Sequence, residues 1–443
     1  MRSGLLRKSS RVPGYDYLHG RLRKCSKNQK GKTDALDSNQ QGRIRSRNTV
    51  DKGFKVEQGY VDTEPKIILR LVDMVERQKP QIYDDGIYRD FGKQPSPLEL
   101  QLGNALIPLV EDDKKSPIVK AIQYCRNQID DEFGLPLPKV HIIDNASLKP
   151  KEYRILLNGV EVSRFAGMGV DDYLCINTSD DDLKEIPGKK LKDPAYDMDA
   201  ILIHKDQKQE AKRLGYSIAD VSKIIRVDLY RIVTRNITKF LTLSMVGDLI
   251  NKVRNLNPDV VDNVFFIHDY PIADFKIILN WLLEERVSIK DMSTIIETIA
   301  ENIADTKKPV DMLIKIREML AYSIISKLAD DKKVVHVVKV SKDFSEFLSE
   351  KIYHPKSRTE LPYFSFNSEE AGKINKALSD SIKPLVDKGF VPVVAIESSL
   401  RTAFADKINH IFYGCYCISD FEMYRVSHDF SFSCEGEIAL NES

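Results

Sequence analysis

The stretch that most narrows what this chain can fold into runs from Asn280 to Asp305, NWLLEERVSIKDMSTIIETIAENIAD. Ile277, Ile278, Trp281 and Leu282 lead into it at helical spacing. The spacing breaks at Arg286-Val287 and returns at Met292, Ile295, Ile296 and Ile299. Residues three and four apart share one face of a helix, so two helices with a corner between them are expected. Ser288 and Asp291 form an S-x-x-D box whose hydroxyl and carboxylate can satisfy the first amides of the second helix. The expected product is an antiparallel helix pair with a tight, capped corner, and nothing in it is catalytic.

Strand signals surround this helical centre. Leu98–Val110 (LELQLGNALIPLV) reads as a strand with a bulge or turn at Gly103. Ser116-Pro117 opens a helix that runs through Ile122 and Ile129 and stops at Gly134. Val140–Ile143 is a short strand. Tyr153–Leu157 and Val160–Ser163 flank Asn158-Gly159, a pair that accepts the positive φ angles of a type I′ turn and so marks a hairpin. Tyr173–Asn177 and Ala200–Ile203 are further strands, separated by a loop rich in Asp, Lys, Pro and Gly. Asp220–Leu241 is a long helix with an apolar stripe through Val221, Ile225, Leu229, Ile232 and Phe240. Val227 falls opposite that stripe, an apolar side chain on the expected wet face. Helical periods fill Asp248 to Leu328. Beyond them, strands at Val334–Val340, Val391–Ile396 and Arg425–Phe432 alternate with helices at Lys342–Lys351, Ser368–Lys388 and Ser399–His410. The class is therefore α+β and multidomain, with a C-terminal α/β unit.

The first fifty residues stand apart, with thirteen Lys/Arg against three Asp/Glu and few large aliphatics. Such a composition does not pack a core and reads as a disordered basic arm. Residues 51–97 form a linker with one amphipathic helix, whose stripe is Ile67, Ile68, Leu71, Val72 and Val75.

Composition restricts function more by exclusion. A net charge of +1 over 443 residues gives no whole-molecule attraction for nucleic acid or acidic membranes. Six cysteines in a chain this long do not make a disulfide scaffold. The longest nearly unbroken apolar run, Phe390 to Ile396, falls far short of the roughly 20 residues a membrane-spanning helix needs, so no crossing is expected. No signal peptide is recognisable. No P-loop, dinucleotide fingerprint, H-E-x-x-H or G-x-S-x-G sequence is present. Cys415-Tyr416-Cys417, with Cys434, His410 and His428, is the one arrangement to weigh for a metal. Its spacing is not the usual C-x2-C, and small buried thiols pack well in a sheet, so no metal is expected. The acidic run Ser179–Asp182 lacks the glycine and distal glutamate of a calcium loop. No enzyme activity and no cofactor is expected, and a binding or scaffold role remains.

Several blocks resemble the cytoplasmic region of the flagellar/type III secretion export gate (FHIPEP) family over about residues 98–430. They are Leu98–Glu111, the run V-H-I-I-D-N-x-S-L-K-P-x-x-Y-R-I-L-x-N-G-V-E-V from Val140 to Val162, Asp193-Pro194-Ala195-Tyr196 with Asp199-Ala200-Ile201, Gly215-Tyr216, and the helical corner. The resemblance implies four subdomains. The first, α+β, covers 98–171 and resumes at 221–240, around a small inserted second at 172–220. The third, at 241–320, is helical, and the fourth, at 321–443, is α/β.

The resemblance also implies a homo-oligomeric ring, nonameric in known members, on the cytoplasmic side of the inner-membrane export apparatus. Its partners would be export chaperone–substrate complexes, the ATPase complex and an export gate partner. In flagellar members the chaperone contact uses an Asp and an aromatic three residues apart, plus a Thr on the helix after the insertion. The matching positions are Asp193, Tyr196 and Val227, with Asp228 where the family usually has His. The family's membrane domain and its Gly-Arg-Gln-Glu motif have no counterpart, and Leu241–Met245 stands in the latter's place. A flagellar platform is the first expectation and a virulence-type (injectisome) platform the second. A nucleic-acid-binding protein using the basic arm is a third, from another class.

Overall fold

The computed structural model describes residues 96–111, 116–177, 183–195, 198–412 and 414–440. The basic arm, the linker helix and the Ser179–Asp182 run lie outside the described residues.

The first sheet has the order β2-β1-β3-β4, from β1 (Leu98–Leu102), β2 (His141–Asp144), β3 (Glu152–Leu157) and β4 (Val160–Ala166). β1 pairs parallel with β2 and antiparallel with β3. The strand expected to reach Val110 stops at Leu102, and a 3-10 turn takes Asn104–Leu109. Gly103 decides the break. Its amide donates to Glu152 O at 2.8 Å, and a Cβ there would stand 2.1 Å from Lys149 O. Its φ of −71° is open to any residue, so the glycine serves close backbone approach and not a left-handed turn. The β3–β4 hairpin forms as expected, with Asn158 at φ 49° and Gly159 at φ 80° in a type I′ turn.

Helix α1 (Pro117–Phe133), with the Ser116 hydroxyl accepting from Val119 N, packs against α2 (Val221–Arg235). The Asp220 carboxylate accepts from Lys223 N at 2.8 Å and starts α2. This helix was expected to run to Leu241. It ends at Arg235, where the Asn236 amide folds back on Ile232 O and a separate 3-10 turn holds Ile237–Phe240.

Between β4 and α2 the chain builds a small antiparallel sheet, β6-β7-β5-β8, from β5 (Asp172–Ile176), β6 (Lys189–Lys192), β7 (Asp199–His204) and β8 (Ser217–Ala219). Cys175, Ile186, Ile203 and Ala211 give it a small core of its own.

Helices α3 (Leu243–Leu256), α4 (Ile272–Glu284), α5 (Met292–Asn302) and α6 (Pro309–Met319) follow. The corner between α4 and α5 departs from expectation in two respects. Both helices pack chiefly on α6, and not as a pair against each other. The seven-residue connection explains this: Arg286 adopts φ 58°, and Ile289 N donates to Phe133 O at 2.8 Å, which draws the loop toward α1. The cap is also simpler than an S-x-x-D box. Asp291 alone accepts from Thr294 N, at 3.1 Å, while the Ser288 hydroxyl accepts from Lys290 N within the loop.

The C-terminal sheet is parallel throughout, in the order β13-β12-β9-β14. Its strands are β9 (Val334–Val340), β12 (Val393–Ile396), β13 (Tyr416–Ser419) and β14 (Ser431–Ile438). Two short strands, β10 (Ile352–Tyr353) and β11 (Tyr363–Phe364), form a separate arm. The strand expected over Arg425–Phe432 is instead a short helix, Asp420–Arg425, a turn, and then β14. Ser419 and Glu422 close a capping box there and set the helix, where the apolar pattern alone suggested extension.

Period-2 alternation divides this sheet. Val335, Val337, Val393, Ala395 and Ile418 join a core continuous with the helices and the first sheet. Val338, Val394, Ile396 and Cys417 face a second core under α7 (Lys342–Lys351), α8 (Ser368–Asp387) and α9 (Ser398–Ile411). A sheet covered on both faces accounts for the nearly unbroken apolar runs VVHVVKV and VVAI.

Candidate functional site: a cleft beside the small sheet

Asp193-Pro194-Ala195 sits in the turn between β6 and β7. Asp193 is 4% exposed. Its carboxylate accepts from Ala195 N at 2.9 Å and from Met198 N at 3.3 Å, while its own amide donates to Met198 O at 3.0 Å. Aspartate is suited to this because its short side chain can bond to backbone amides a few residues on. The family resemblance matched Asp193 to a partner-contacting position. The carboxylate instead organises the turn from inside. Tyr196 lies outside the described residues.

That turn forms one wall of a cleft of about 420 Å³. Arg164 and Phe165 of β4 face it, with Lys192 at the end of β6 and Arg231 and Arg235 of α2. The guanidiniums are held in place. Arg164 donates to Glu152 at 2.9 Å and to Glu161 at 2.8 and 2.7 Å. Arg231 donates to Asp228 at 2.9 Å. The Arg164 hydrogen bonds hold the Glu161 carboxyl below the usual carboxylate range.

Val227 stands one turn before Arg231 but does not line the cleft. It is half-buried, on the side of α2 that also carries the exposed Lys223, while α1 and strands β4, β5 and β8 cover the other sides of the helix. Its neighbour Asp228 is fully buried and accepts from Tyr153 Oη at 3.1 Å, Ser163 Oγ at 2.6 Å and Arg231. Burial, and then the Asp228 charge, push the Tyr153 hydroxyl well above its ordinary range, so it stays a protonated donor. Asp228 thus ties β3, β4 and α2 together directly behind the cleft. A sequence signal for it existed. At four residues from Ile224 and Ile232, Asp228 falls within the apolar stripe of α2, where an unpaired charge would be costly.

The remaining sequence candidates have structural places. Asn158, Gly159 and Gly103 shape the first sheet, and Ser288 and Asp291 shape the α4–α5 connection. Cys415 and Cys417 are buried, and desolvation pushes the Cys415 thiol up to about 12 and the Cys417 thiol higher still. Such thiols are apolar packing groups rather than thiolate ligands. Cys434 is exposed. Among the described residues, no three His, Cys, Asp or Glu side chains converge as a metal would require, and no helix is long and apolar enough to cross a membrane.

A profile of the FHIPEP family matches residues 73–427, most of the chain. The chain belongs to the FHIPEP family. It is 30% identical to the flagellar biosynthesis protein FlhA of Treponema pallidum over 355 residues, covering 78% of this chain and 48% of that one. To FlhA of Borreliella burgdorferi it is 29% identical over 322 residues, 71% and 45% of the two chains. The chain spans about half the length of these curated relatives. Its fold is shared with the Chlamydia pneumoniae CdsV protein, at TM-score 0.68 and 22% identity over 80% of this chain and 99% of the other. The nonameric EPEC SctV-C gives TM-score 0.63 at 19% identity over 79% and 100%.

Proposed function

We propose that this FHIPEP-family chain acts as the cytoplasmic platform of a flagellar type III protein export gate, docking export chaperone–substrate complexes and helping order their export. The observation that carries the reading is the cleft walled by Asp193-Pro194-Ala195, beside a small sheet with its own core. A pre-organised concave surface lowers the cost of ordering on association, which suits repeated and reversible docking. Phe165 and the Pro194-Ala195 turn give the cleft apolar surface among charged side chains. Tyr196 adds a ring able to stack and a hydroxyl able to bond. In this reading Asp193 shapes the wall and Tyr196 touches the partner, while Val227 and Asp228 support α2 behind it.

The same reading divides the chain into a first part at 98–171 and 221–240, an insertion at 172–220, helices at 241–320 and an α/β unit at 321–443. It places the chain in a homo-oligomeric ring, since solved relatives of this fold are nonameric. It also gives the ring other export-apparatus partners, since one structure of this fold is a CdsV–CdsO complex. The two sequence relatives named above are flagellar proteins, which favours flagellar cargo over injectisome cargo.

Tyr196→Ala is the decisive variant. Pull-downs with a purified chaperone–cargo complex should lose most binding while the circular dichroism spectrum stays that of the wild type. Undiminished capture by a folded Tyr196→Ala protein overturns the assignment.

A further inference from the structure

The C-terminal sheet has a feature that docking at the cleft does not use. Its chain order runs from β9 outward to β12 and β13, then returns to β14 on the other side of β9. A crevice of about 330 Å³ opens beyond the carboxyl ends of β9 and β12. That is near the lower end of the roughly 300–1,000 Å³ typical of small-ligand sites.

One wall is built for an anion. Lys339 and Lys342 reach it, and α7 begins there. The Ser341 hydroxyl takes Phe344 N at 3.2 Å, and helix geometry leaves the amides of Lys342 and Asp343 without an intrahelical acceptor. Ser345, in the first turn of the same helix, is 4% exposed and lines the crevice, and its hydroxyl has no hydrogen-bond partner among the described residues. That hydroxyl is not among the enclosed side-chain atoms that lack a partner, so it opens onto the crevice and is free to bond a ligand there. Among the described residues Lys342 is engaged in an exposed pair with Glu346 at 3.6 Å, which holds it weakly.

The opposite wall fixes which anion. Asp420 is occupied in starting α9, accepting from Ser398 N at 2.9 Å and Ser398 Oγ at 2.5 Å. Glu397 stands beside it on the crevice. A phosphate dianion would face both carboxylates. A single carboxylate with an N–H a few ångströms away would meet the lysines, the amides and Ser345 on one side and could donate to Glu397 on the other. Val340, Ile396 and Met423 supply an apolar floor for one aliphatic side chain.

We propose that this crevice captures the free C-terminal carboxylate of a polypeptide whose last residue is aliphatic. The carboxylate binds at Lys342, Ser345 and the start of α7, and the terminal amide N–H donates to Glu397. The site is separate from the Asp193 cleft and does not rest on the docking reading.

The test uses the full chain and two synthetic probes, acetyl-Ala-Ala-Leu as the free acid and as the amide, followed by ligand-observed NMR or calorimetry. The acid should bind at least about tenfold more tightly than the amide, the scale of one lost charge-assisted hydrogen bond. Ser345→Ala and Lys342→Glu should each weaken the acid about fivefold or more with an unchanged melting temperature, and inorganic phosphate at matched ionic strength should not displace it. Equal binding of acid and amide, no binding of either at millimolar concentration, or full displacement by phosphate would each overturn the proposal. Tyr196→Ala should leave this binding unchanged, which separates failure here from failure at the cleft.

Discussion

Asp228 shows how one side chain can organise a surface without lying on it. Three donors from three elements converge on its carboxylate: Tyr153 from β3, Ser163 from β4 and Arg231 from α2. Hydrogen bonds to a charged acceptor contribute more than neutral ones, and losing the charge leaves Arg231, only 17% exposed at its side chain, poorly compensated. Asp228→Asn should therefore destabilise the protein by about 2–3 kcal/mol in urea unfolding, within the range for such bonds. It should also weaken cargo capture, because Arg231 lines the cleft. A variant that unfolds at the wild-type urea concentration would remove Asp228 from this role. The residue was legible in part. Its place on the apolar stripe of α2 marks it as buried, but its partners lie 65 and 75 positions away, and sequence spacing carries no trace of such pairings. The turn role of the Asp193 carboxylate is local, through the amides of Ala195 and Met198, and the D-P-A-Y motif by itself does not announce it.

At the scale of elements, local chemistry was read well where it acted alone and poorly where distant backbone intervened. The Asn158-Gly159 hairpin and the Ser116-Pro117 start of α1 need only neighbouring residues, and each forms where the sequence placed it. Gly103 ends β1 because the backbone at Lys149 and Pro150 comes too close for a side chain, a contact 46 positions away. The α4–α5 connection opens because Ile289 bonds to Phe133, again far off in sequence. That connection separates two capping roles that the S-x-x-D pattern merges. Asp291 is the N-cap of α5, and replacing such a residue by alanine costs about 1 kcal/mol. Ser288 bonds within the loop, through a single 3.3 Å contact. Chemical denaturation should show Asp291→Ala less stable by about 1 kcal/mol and Ser288→Ala within about 0.5 kcal/mol of wild type, the range for surface changes away from such features. Equal losses for the two would restore the paired box.

Across the whole molecule, the helices and the C-terminal sheet share one apolar core, and a buried group of four charges lies in the same contact region. Glu285, at the end of α4, meets Arg401 of α9 at 2.5 and 2.7 Å and Arg317 of α6 at 3.0 Å. Arg317 also meets Glu422 at 2.8 Å. Every side chain in the group is 10% exposed or less. Desolvation alone would raise the Glu285 carboxyl, but Arg401 and Arg317 overcome it and hold the carboxyl below its ordinary 4.5. A buried ion network of this kind adds little net stability over an apolar replacement, yet removing one member strands the others and costs about 3–5 kcal/mol. Glu285 is the member bonded to both arginines, and its loss leaves Arg401 without its carboxylate and Arg317 with Glu422 alone, so Glu285→Gln should lose stability near that range at pH 7. The sign with pH follows from the depressed folded value. The contribution is complete above the unfolded carboxyl range and disappears as pH falls through the lower folded value, because the unfolded state then takes up the proton first. Urea midpoints measured from pH 7 down to pH 3 should therefore converge for wild type and Glu285→Gln below about pH 4.5, with the difference largest at neutral pH. A gap that stays constant through that window would mean that Glu285 acts by shape and not by charge, and that the helices are set against the sheet by the apolar core alone.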